Sequence, residues 1–236
     1  MSATRTTTLP GFDGAALAVH EVGEADARPV LLLHGLFSSA EVNWIKYGHA
    51  ATIAARGFRV IMPDFRVHGA SAAPHDAAAY PPQVLVRDVL ALIEAMGLTD
   101  FDLGGFSLGA RTVAALLVEG VRPRRAILAG MGLEGLSGWT DRRQFFLDAI
   151  ALRETVTRDD SHFMAVIFMR TMKIDPVAAT LLLEAGSDID MAALVAVDVP
   201  VAVICGDEDQ DNGSAPALAR QLAHGRYIEV PGTHMS

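Results

Sequence analysis

The segment GFSLG, residues 105–109, lies between a strand-like run at 101–105 and a helix-like run at 110–118. A Gly-x-Ser-x-Gly sequence in this setting is typical of a nucleophile elbow, a tight turn that holds its serine in a strained conformation. The flanking glycines carry no side chains that could clash in such a turn. We therefore predict that Ser107 stands at the start of a helix, where free N–H groups and the helix dipole favour negative charge.

Three further segments follow predicted strands: His34-Gly35 after residues 29–33, Asp209 after 201–205, and His234 after 226–230. The chain order is serine, then acid, then histidine, which is one of the orders in which catalytic triads occur. The sequence thus contains a candidate nucleophile, acid and base, each directly after a predicted strand or at its turn.

On these residues the chain resembles the α/β-hydrolase superfamily of lipases, esterases and C–C hydrolases, and the resemblance covers nearly the whole sequence. The matching segments are HG at 34–35, DFRVHGAS at 64–71, GFSLG at 105–109, GDED at 206–209 and GTH at 232–234. The resemblance implies an α/β-hydrolase fold, with a mostly parallel central sheet flanked by helices and a helical cap insertion.

The resemblance also implies the role of each site residue. Ser107 would attack a carbonyl carbon, His234 would take and return its proton, and Asp209 would orient the imidazole. The backbone N–H groups of Leu36 and Leu108 would form the oxyanion hole.

The acid has neighbours that compete for this role. Asp207, Glu208 and Asp211 lie in the same turn as Asp209, which is the position that the resemblance assigns. A carboxylate at the end of that strand would face the same sheet edge as the elbow, which agrees with this assignment in part. Asp64, also at the end of a predicted strand, is the rival acid elsewhere in the chain.

The rest of the sequence fits one α/β domain of 236 residues with a large core, since 51% of the residues are hydrophobic. Strands and helices alternate, as in a parallel sheet covered on both faces. The predicted strands are 17–22, at the sheet edge, then 30–33, 58–62, 101–103, 126–129, 201–205 and 226–230. The predicted helices outside the cap are 41–56, 82–96 and 110–118.

Between residues 133 and 197 the alternation stops, and only helical patterns occur, at 141–153, 161–172, 176–185 and 191–195. We expect a core in two parts, 1–132 and 198–236, with 133–197 as a cap or lid over Ser107. Most apolar cap residues, such as Phe163 and Phe168, would pack the lid onto the core. Some would line an apolar, adaptable pocket beneath it.

Composition and motifs argue against several classes of protein. The net charge of −9 disfavours a nucleic-acid partner. We find no signal peptide and no apolar run of membrane-spanning length, so we expect a cytoplasmic protein with no membrane span. The lone Cys205 is predicted to be a buried, inert thiol, and His34 and His68 to tie loops together. With no zinc-ligand spacing and no nucleotide fingerprint, no metal and no cofactor are expected.

One departure from the family pattern is at the C-terminus, because relatives usually continue past the catalytic histidine into a closing helix. The sequence ends two residues after His234, and we expect either a trimmed chain or a fold without that helix. An uncovered apolar strip would favour a homodimer or a less rigid His234 loop.

Three functions compete. The first is a serine carboxylesterase acting on small to medium apolar esters. The second is hydrolysis of another bond by the same triad: a carbon–carbon bond in a diketone, a lactone or a thioester. The third is a ligand-binding homologue without catalysis, against which the intact set of Ser107, Asp209 and His234 argues.

Overall fold

The structure of the protein is a computed structural model that describes residues 3–235. Its strands are β1 (Arg5–Pro10), β2 (Ala16–Val22), β3 (Arg28–Leu33), β4 (Phe58–Pro63), β5 (Asp102–Phe106), β6 (Ala126–Ala129), β7 (Val201–Gly206) and β8 (Gly225–Val230). Its α-helices are α1 (His49–Ala54), α2 (Val84–Ala95), α3 (Leu108–Val118), α4 (Leu133–Ser137), α5 (Trp139–Ala151), α6 (Phe163–Thr171), α7 (Pro176–Glu184), α8 (Met191–Val195) and α9 (Ala215–Gln221). A π-helical turn spans Glu41–Ile45, and a 3-10 turn spans Ala77–Ala79.

The eight strands form one sheet in the order β1-β2-β4-β3-β5-β6-β7-β8. β1 pairs antiparallel with β2, and β2 antiparallel with β4. All other neighbours are parallel. In the register, Leu33 lies opposite Gly105 and Phe106 opposite Ala129. The carboxyl ends of these strands therefore meet at one edge of the sheet, and the candidate site residues follow them there.

The side chains of β3 show why the sheet is buried on both faces. Leu31 and Leu33 belong to the larger apolar cluster, whereas Val30 and Leu32 belong to a smaller cluster that includes Val60. Alternate residues of a strand point to opposite faces, so an uninterrupted apolar run is what a doubly covered parallel strand requires. The predicted fold class, a mostly parallel sheet flanked by helices, is confirmed.

Two predicted elements were wrong in detail. The strand predicted at 17–22 is not at the sheet edge, because β2 pairs with β4 on one side and with β1 on the other. The strand β1 was not predicted. The single helix at 41–56 is instead a π-helical turn followed by α1, since Gly48 between them has φ +79° and breaks the helical path.

Other boundaries shift by one to three residues. Helix α2 begins at Val84 and not at residue 82, because Gln83 has φ +58° and is not helical. β6 and α8 have the predicted bounds. Helices α4 and α9 were not predicted.

Five helices, α4 to α8, connect β6 to β7. The structure describes every residue from 133 to 197, and this segment contains no strand. The predicted helical insertion is therefore present at the expected place, between two parallel neighbours of the sheet.

The face of the sheet formed by β6 to β8 carries exposed apolar side chains. Ile127 is 38% exposed and Val230 is 40% exposed. Both lie on the same face, since Ile127 pairs with Ala202, and Val230 pairs with Gly206 on the same side of β7. An apolar strip is thus exposed here, and dimerisation through it stays a prediction.

No helix among residues 3–235 is long and apolar enough to cross a membrane.

Candidate active site

Ser107 lies in the turn between β5 and α3 with φ +53° and ψ −113°, a conformation that residues with a side chain rarely adopt. Its N–H donates to the carbonyl of Ala129 at 2.9 Å, which fixes the turn against β6. A Cβ atom at Gly105 would lie 2.2 Å from the carbonyl carbon of Gly109, and one at Gly109 would lie 2.1 Å from the carbonyl oxygen of Leu33. Both glycines are therefore required by close packing, and the predicted strained elbow is confirmed.

Ser107, His234 and Asp209 form a hydrogen-bonded chain. The Oγ atom of Ser107 lies 3.1 Å from Nε2 of His234, and Nδ1 of His234 lies 2.9 Å from Oδ2 of Asp209. The side chains of His234 and Asp209 are 9% and 2% exposed. A carboxylate at Nδ1 favours the tautomer with its proton on that nitrogen, which leaves the Nε2 lone pair free to accept the serine proton.

The carboxylates around Asp209 have other partners or face solvent. Asp207 accepts the N–H of Gly232 at 2.9 Å and so ties the acid loop to the histidine loop. Glu208 and Asp211 are exposed. Among these four carboxylates, Asp209 is the one that contacts His234 in the described part of the chain, and its role as the triad acid stays a prediction.

The rival acid Asp64 is buried and occupied elsewhere. Its two oxygens accept the N–H groups of Ala40 and Ala70, at 2.8 and 2.9 Å, and one of them also contacts Nε2 of His20 at 3.2 Å. These contacts join the loop after β4 to strand β2 and to the loop that carries Ala40. Asp64 therefore stabilises the loops next to the site and does not reach His234.

Leu36 and Leu108 line a cavity of about 20 Å³ together with Ser107. Within the described part of the chain, the N–H groups of Leu36 and Leu108 have no protein acceptor. The loop that carries Leu36 is held by the side chain of Asn43, which accepts the N–H of Gly35 at 2.9 Å. Two free N–H groups next to Ser107 are what an oxyanion hole requires.

His34 and His68 stabilise the loop that carries Leu36 and the neighbouring loop after β4. Nε2 of His34 accepts the N–H of Phe65, and Nε2 of His68 accepts the N–H of Phe37, each at 2.9 Å. Each ring also donates from Nδ1 to a backbone carbonyl, that of Gly35 or of Arg66. These bonds require neutral rings, and burial lowers the pKa of His34 and lowers that of His68 to about 3. The predicted structural role of both histidines is confirmed.

The cavity beside Ser107 is less apolar than the sequence predicted. Its lining includes two arginines, Arg111 on α3 and Arg142 on α5, and the amide of Asn212. Asn212 donates to the carbonyl of Gly130 at 2.8 Å. The predicted apolar pocket therefore does not describe this cavity, because cationic side chains from the core and from the insertion converge there.

A second cavity of about 60 Å³ lies next to the first and shares Leu108, Arg111 and Trp139 with it. Its other walls are mostly apolar residues of α2 and of α7, such as Leu85 and Leu182. The adaptable apolar space predicted under the insertion corresponds best to this second cavity.

The cap aromatics are divided between the cavity wall and the apolar core. Phe146 on α5 lines the cavity beside Ser107 and packs edge-on against Phe37, with ring centroids 5.6 Å apart. Phe168 packs against the main apolar core, and neither Phe163 nor Phe168 lines either cavity. The side chain to test for substrate contact is therefore Phe146.

Cys205 is buried at the end of β7. Burial, together with the charge of Asp209, raises the pKa of the Cys205 thiol to about 11. A thiol with such a raised pKa is a weak nucleophile at neutral pH, in agreement with the predicted inert role.

Four side chains at the site were not identified from the sequence: Asn43, Arg111, Arg142 and Asn212. Arg111 lies one helical turn after Ser107, and this i, i+4 spacing could have indicated it. Arg142 and Asn212 come from segments whose approach to Ser107 depends on tertiary structure, and no local pattern indicates it.

Comparison with known proteins agrees with this architecture. Residues 28–127 match the model of a family described as alpha/beta hydrolase fold. An epoxide hydrolase from Caballeronia sordidicola is 37% identical over 98 residues, which are 42% of this chain and 28% of that protein. The chain thus spans less than a third of the length of this relative, and 34% of the length of a second one, a 1H-3-hydroxy-4-oxoquinoline 2,4-dioxygenase from Pseudomonas putida.

Solved structures resemble the whole chain. An esterase from Exiguobacterium antarcticum superposes with a TM-score of 0.76 at 19% identity, over 98% of this chain and 92% of that one. An enol-lactonase from Burkholderia xenovorans LB400 superposes with a TM-score of 0.74 at 24% identity, over 98% and 93% of the two chains. At these identities the likeness shows the fold.

Residues 28–127 thus match the alpha/beta-hydrolase family model, and the sheet order and the elbow show that the chain has the α/β-hydrolase fold. This is the family that the sequence resembles.

Proposed function

We propose that the protein is a serine hydrolase that cleaves carboxylic esters of small to medium size through an acyl-enzyme. The observation that supports this most is the hydrogen-bonded chain from Ser107 through His234 to Asp209. It lies beside two N–H groups that have no other acceptor in the described part of the chain.

The proposed reaction has two half-reactions. Ser107 Oγ attacks the ester carbonyl carbon while its proton moves to Nε2 of His234, and the carbonyl oxygen becomes an oxyanion that accepts the N–H groups of Leu36 and Leu108. The C–O bond to the alcohol then breaks, and the leaving oxygen takes the proton from Nε2. A water molecule repeats the sequence on the acyl-enzyme, which releases the carboxylic acid and restores the Ser107 hydroxyl.

Asp209 contributes electrostatically in both half-reactions. Because it is 2% exposed and accepts from Nδ1 of His234, it holds the ring in the reactive tautomer and stabilises the imidazolium. The esterase and enol-lactonase structures that resemble this chain are consistent with attack on a carbonyl carbon.

The proposal can be tested with p-nitrophenyl esters of graded chain length, from acetyl to octanoyl. We expect hydrolysis by the wild-type protein and its loss in Ser107→Ala, with Ser161→Ala, at an exposed serine of the insertion, as the matched control. If the esters are inert but a lactone, a thioester or a diketone is cleaved through Ser107, the triad assignment stands and the proposed class of cleaved bond is wrong. Inertness towards all of these would favour the ligand-binding alternative.

A further inference from the structure

We propose that the Ser107 pocket selects substrates that carry a carboxylate, and that Arg142 on α5 is the residue that binds it. This inference rests on the proposed ester hydrolysis at Ser107 and specifies its substrate class.

Arg142 lines the same small cavity as Ser107 and is half-buried. Its Nη1 donates to the carbonyl of Asp211 at 2.7 Å, and its guanidinium lies 5.6 Å from the ring centre of Phe146. Within residues 3–235, no carboxylate oxygen comes within 4.0 Å of Arg142. A guanidinium has five N–H donors in a planar fork that suits a carboxylate, and this one keeps most of them available.

Arg111, the second arginine of the cavity, has its donors occupied. It donates from Nη1 to the carbonyls of Gly135 and Leu136, at 2.6 and 2.9 Å, and from Nη2 to the carbonyl of Ser187. Its guanidinium lies 4.8 Å from the ring centre of Trp139. Arg111 therefore holds α4 and the loop after α7 in place. It contributes a positive charge to the cavity lining but few free N–H donors.

The two arginines place two guanidinium groups in the lining of the cavity. The carboxylate nearest to Arg111 is Asp188, at 3.9 Å and half exposed. Burial lowers the pKa of both guanidinium groups, and the charge of Arg142 lowers that of Arg111 further, as expected for like charges held close together.

Asp209 cannot neutralise Arg142 fully, because its oxygens already bind His234 and the N–H of Asp211. Asp209 and Asp211 lie near enough to favour the charged form of Arg142, but neither pairs with it. Arg142 is thus a half-buried cation with no carboxylate in direct contact, and a bound carboxylate would gain charge-assisted hydrogen bonds from it. The free N–H donors of Arg142, in the same cavity as Ser107, therefore point to an anionic ligand.

The experiment compares matched esters. One pair has the charge on the acyl side: p-nitrophenyl hydrogen glutarate and its neutral methyl ester. The other pair has it on the alcohol side: 4-(butanoyloxy)benzoic acid and its methyl ester. We expect the wild-type protein to prefer the anionic member of at least one pair, measured as the ratio of kcat/KM values, and high salt to reduce that preference.

Arg142→Gln should lower the anionic-to-neutral ratio about tenfold or more, the usual size of a lost charge-assisted hydrogen bond. Arg142→Lys should retain part of the preference. The control is Arg170→Gln, which removes an exposed arginine of α6 and should leave the ratio unchanged.

The outcomes separate this inference from the proposed function. Hydrolysis of neutral esters through Ser107 with no preference for either anion would overturn only the inference. An equal loss on both members of each pair in Arg142→Gln would mean that Arg142 merely holds the Asp211 loop. If no ester is hydrolysed, the proposed function fails, and binding of glutarate decides the inference: it must raise the Tm of the wild-type protein and not that of Arg142→Gln.

Discussion

The ring of His234 stacks on the ring of Phe106, the residue directly before Ser107, with centroids 4.9 Å apart and planes inclined by 29°. Gly130 closes the stack, since a Cβ atom there would lie 2.6 Å from the Phe106 ring and 3.1 Å from His234. Phe106, at the first variable position of the elbow, therefore packs against the candidate base His234 as well as within the turn.

Replacing Phe106 by Leu should lower kcat about tenfold, the rate equivalent of one lost aromatic pair, because His234 would then lack the surface that orients it. Phe106→Tyr retains the ring and is the matched control. Steady-state kinetics on one ester measures both variants. Equal kcat values for the leucine variant and the wild type would show that the stacking does not position His234.

If Asp209 is the triad acid, replacing different aspartates by asparagine should lower kcat to very different extents. Asp209→Asn should lower kcat by several orders of magnitude with little change in folding, since the equivalent change in serine proteases costs about 10⁴-fold. Asp207→Asn should cost much less, because Asp207 accepts only the N–H of Gly232 among the contacts near the site.

Asp64→Asn serves as the second comparison. It should destabilise the loops at Ala40 and Ala70 more than it slows the reaction. If either Asp207→Asn or Asp64→Asn is the crippling change, the triad has a different third member, although the nucleophile and base would stand.

Because His34 and His68 are buried, we expect the protein to lose stability on mild acidification. In the unfolded chain a histidine titrates near pH 6.5, whereas burial holds the pKa of folded His68 at about 3 and also lowers that of His34. Between these limits the unfolded state binds more protons, so the free energy of unfolding falls as the pH decreases from about 6.5. His20 acts in the opposite sense, because its contact with Asp64 raises its pKa, but it is one group against two.

Denaturant unfolding between pH 7.5 and 4.5 measures this dependence. His68→Gln should flatten the profile, and His224→Gln, at an exposed histidine of the surface, should not. A wild-type profile that stays flat down to pH 5 would contradict neutral, buried rings.

Phe146 should control chain-length preference. Phe146→Ala removes a cavity wall beside Ser107, so it should shift the preferred acyl length upward while changing the rate on acetate esters less, because acetyl reaches few of these contacts. Phe168→Ala is the control, since Phe168 packs against the core and lines neither cavity. It should lower the Tm and affect all chain lengths alike. A shift in chain-length preference in Phe168→Ala but not in Phe146→Ala would place the substrate contact on α6.

The sequence predicted the parts of this protein that depend on local patterns. The elbow around Ser107 is specified by glycines next to a serine, and strands such as β3 and β6 by short apolar runs. The strand β1 was missed because its residues are mostly polar and exposed, so its assignment depends on pairing with β2. Strand pairing of this kind depends on tertiary context more than on propensity.

The approach of Arg142 to Ser107 could not be predicted for a similar reason. The two residues are far apart in the chain, and α5 carries no strong apolar stripe that would orient it. What brings Arg142 to the cavity is the packing of α5 on its neighbours and the bond to the carbonyl of Asp211, neither of which is a local property. The candidate triad of Ser107, Asp209 and His234 could be predicted from the sequence because its members follow strand ends, whereas the lining of the cavity could not.

Covalent labelling with a fluorophosphonate, read by intact-protein and peptide mass spectrometry, shows whether Ser107 is the nucleophile. We expect one added probe per chain on the peptide that contains Ser107, slower labelling in Asp209→Asn, and none in Ser107→Ala. Labelling at Cys205 or at another serine, with ester hydrolysis retained in Ser107→Ala, would contradict this expectation.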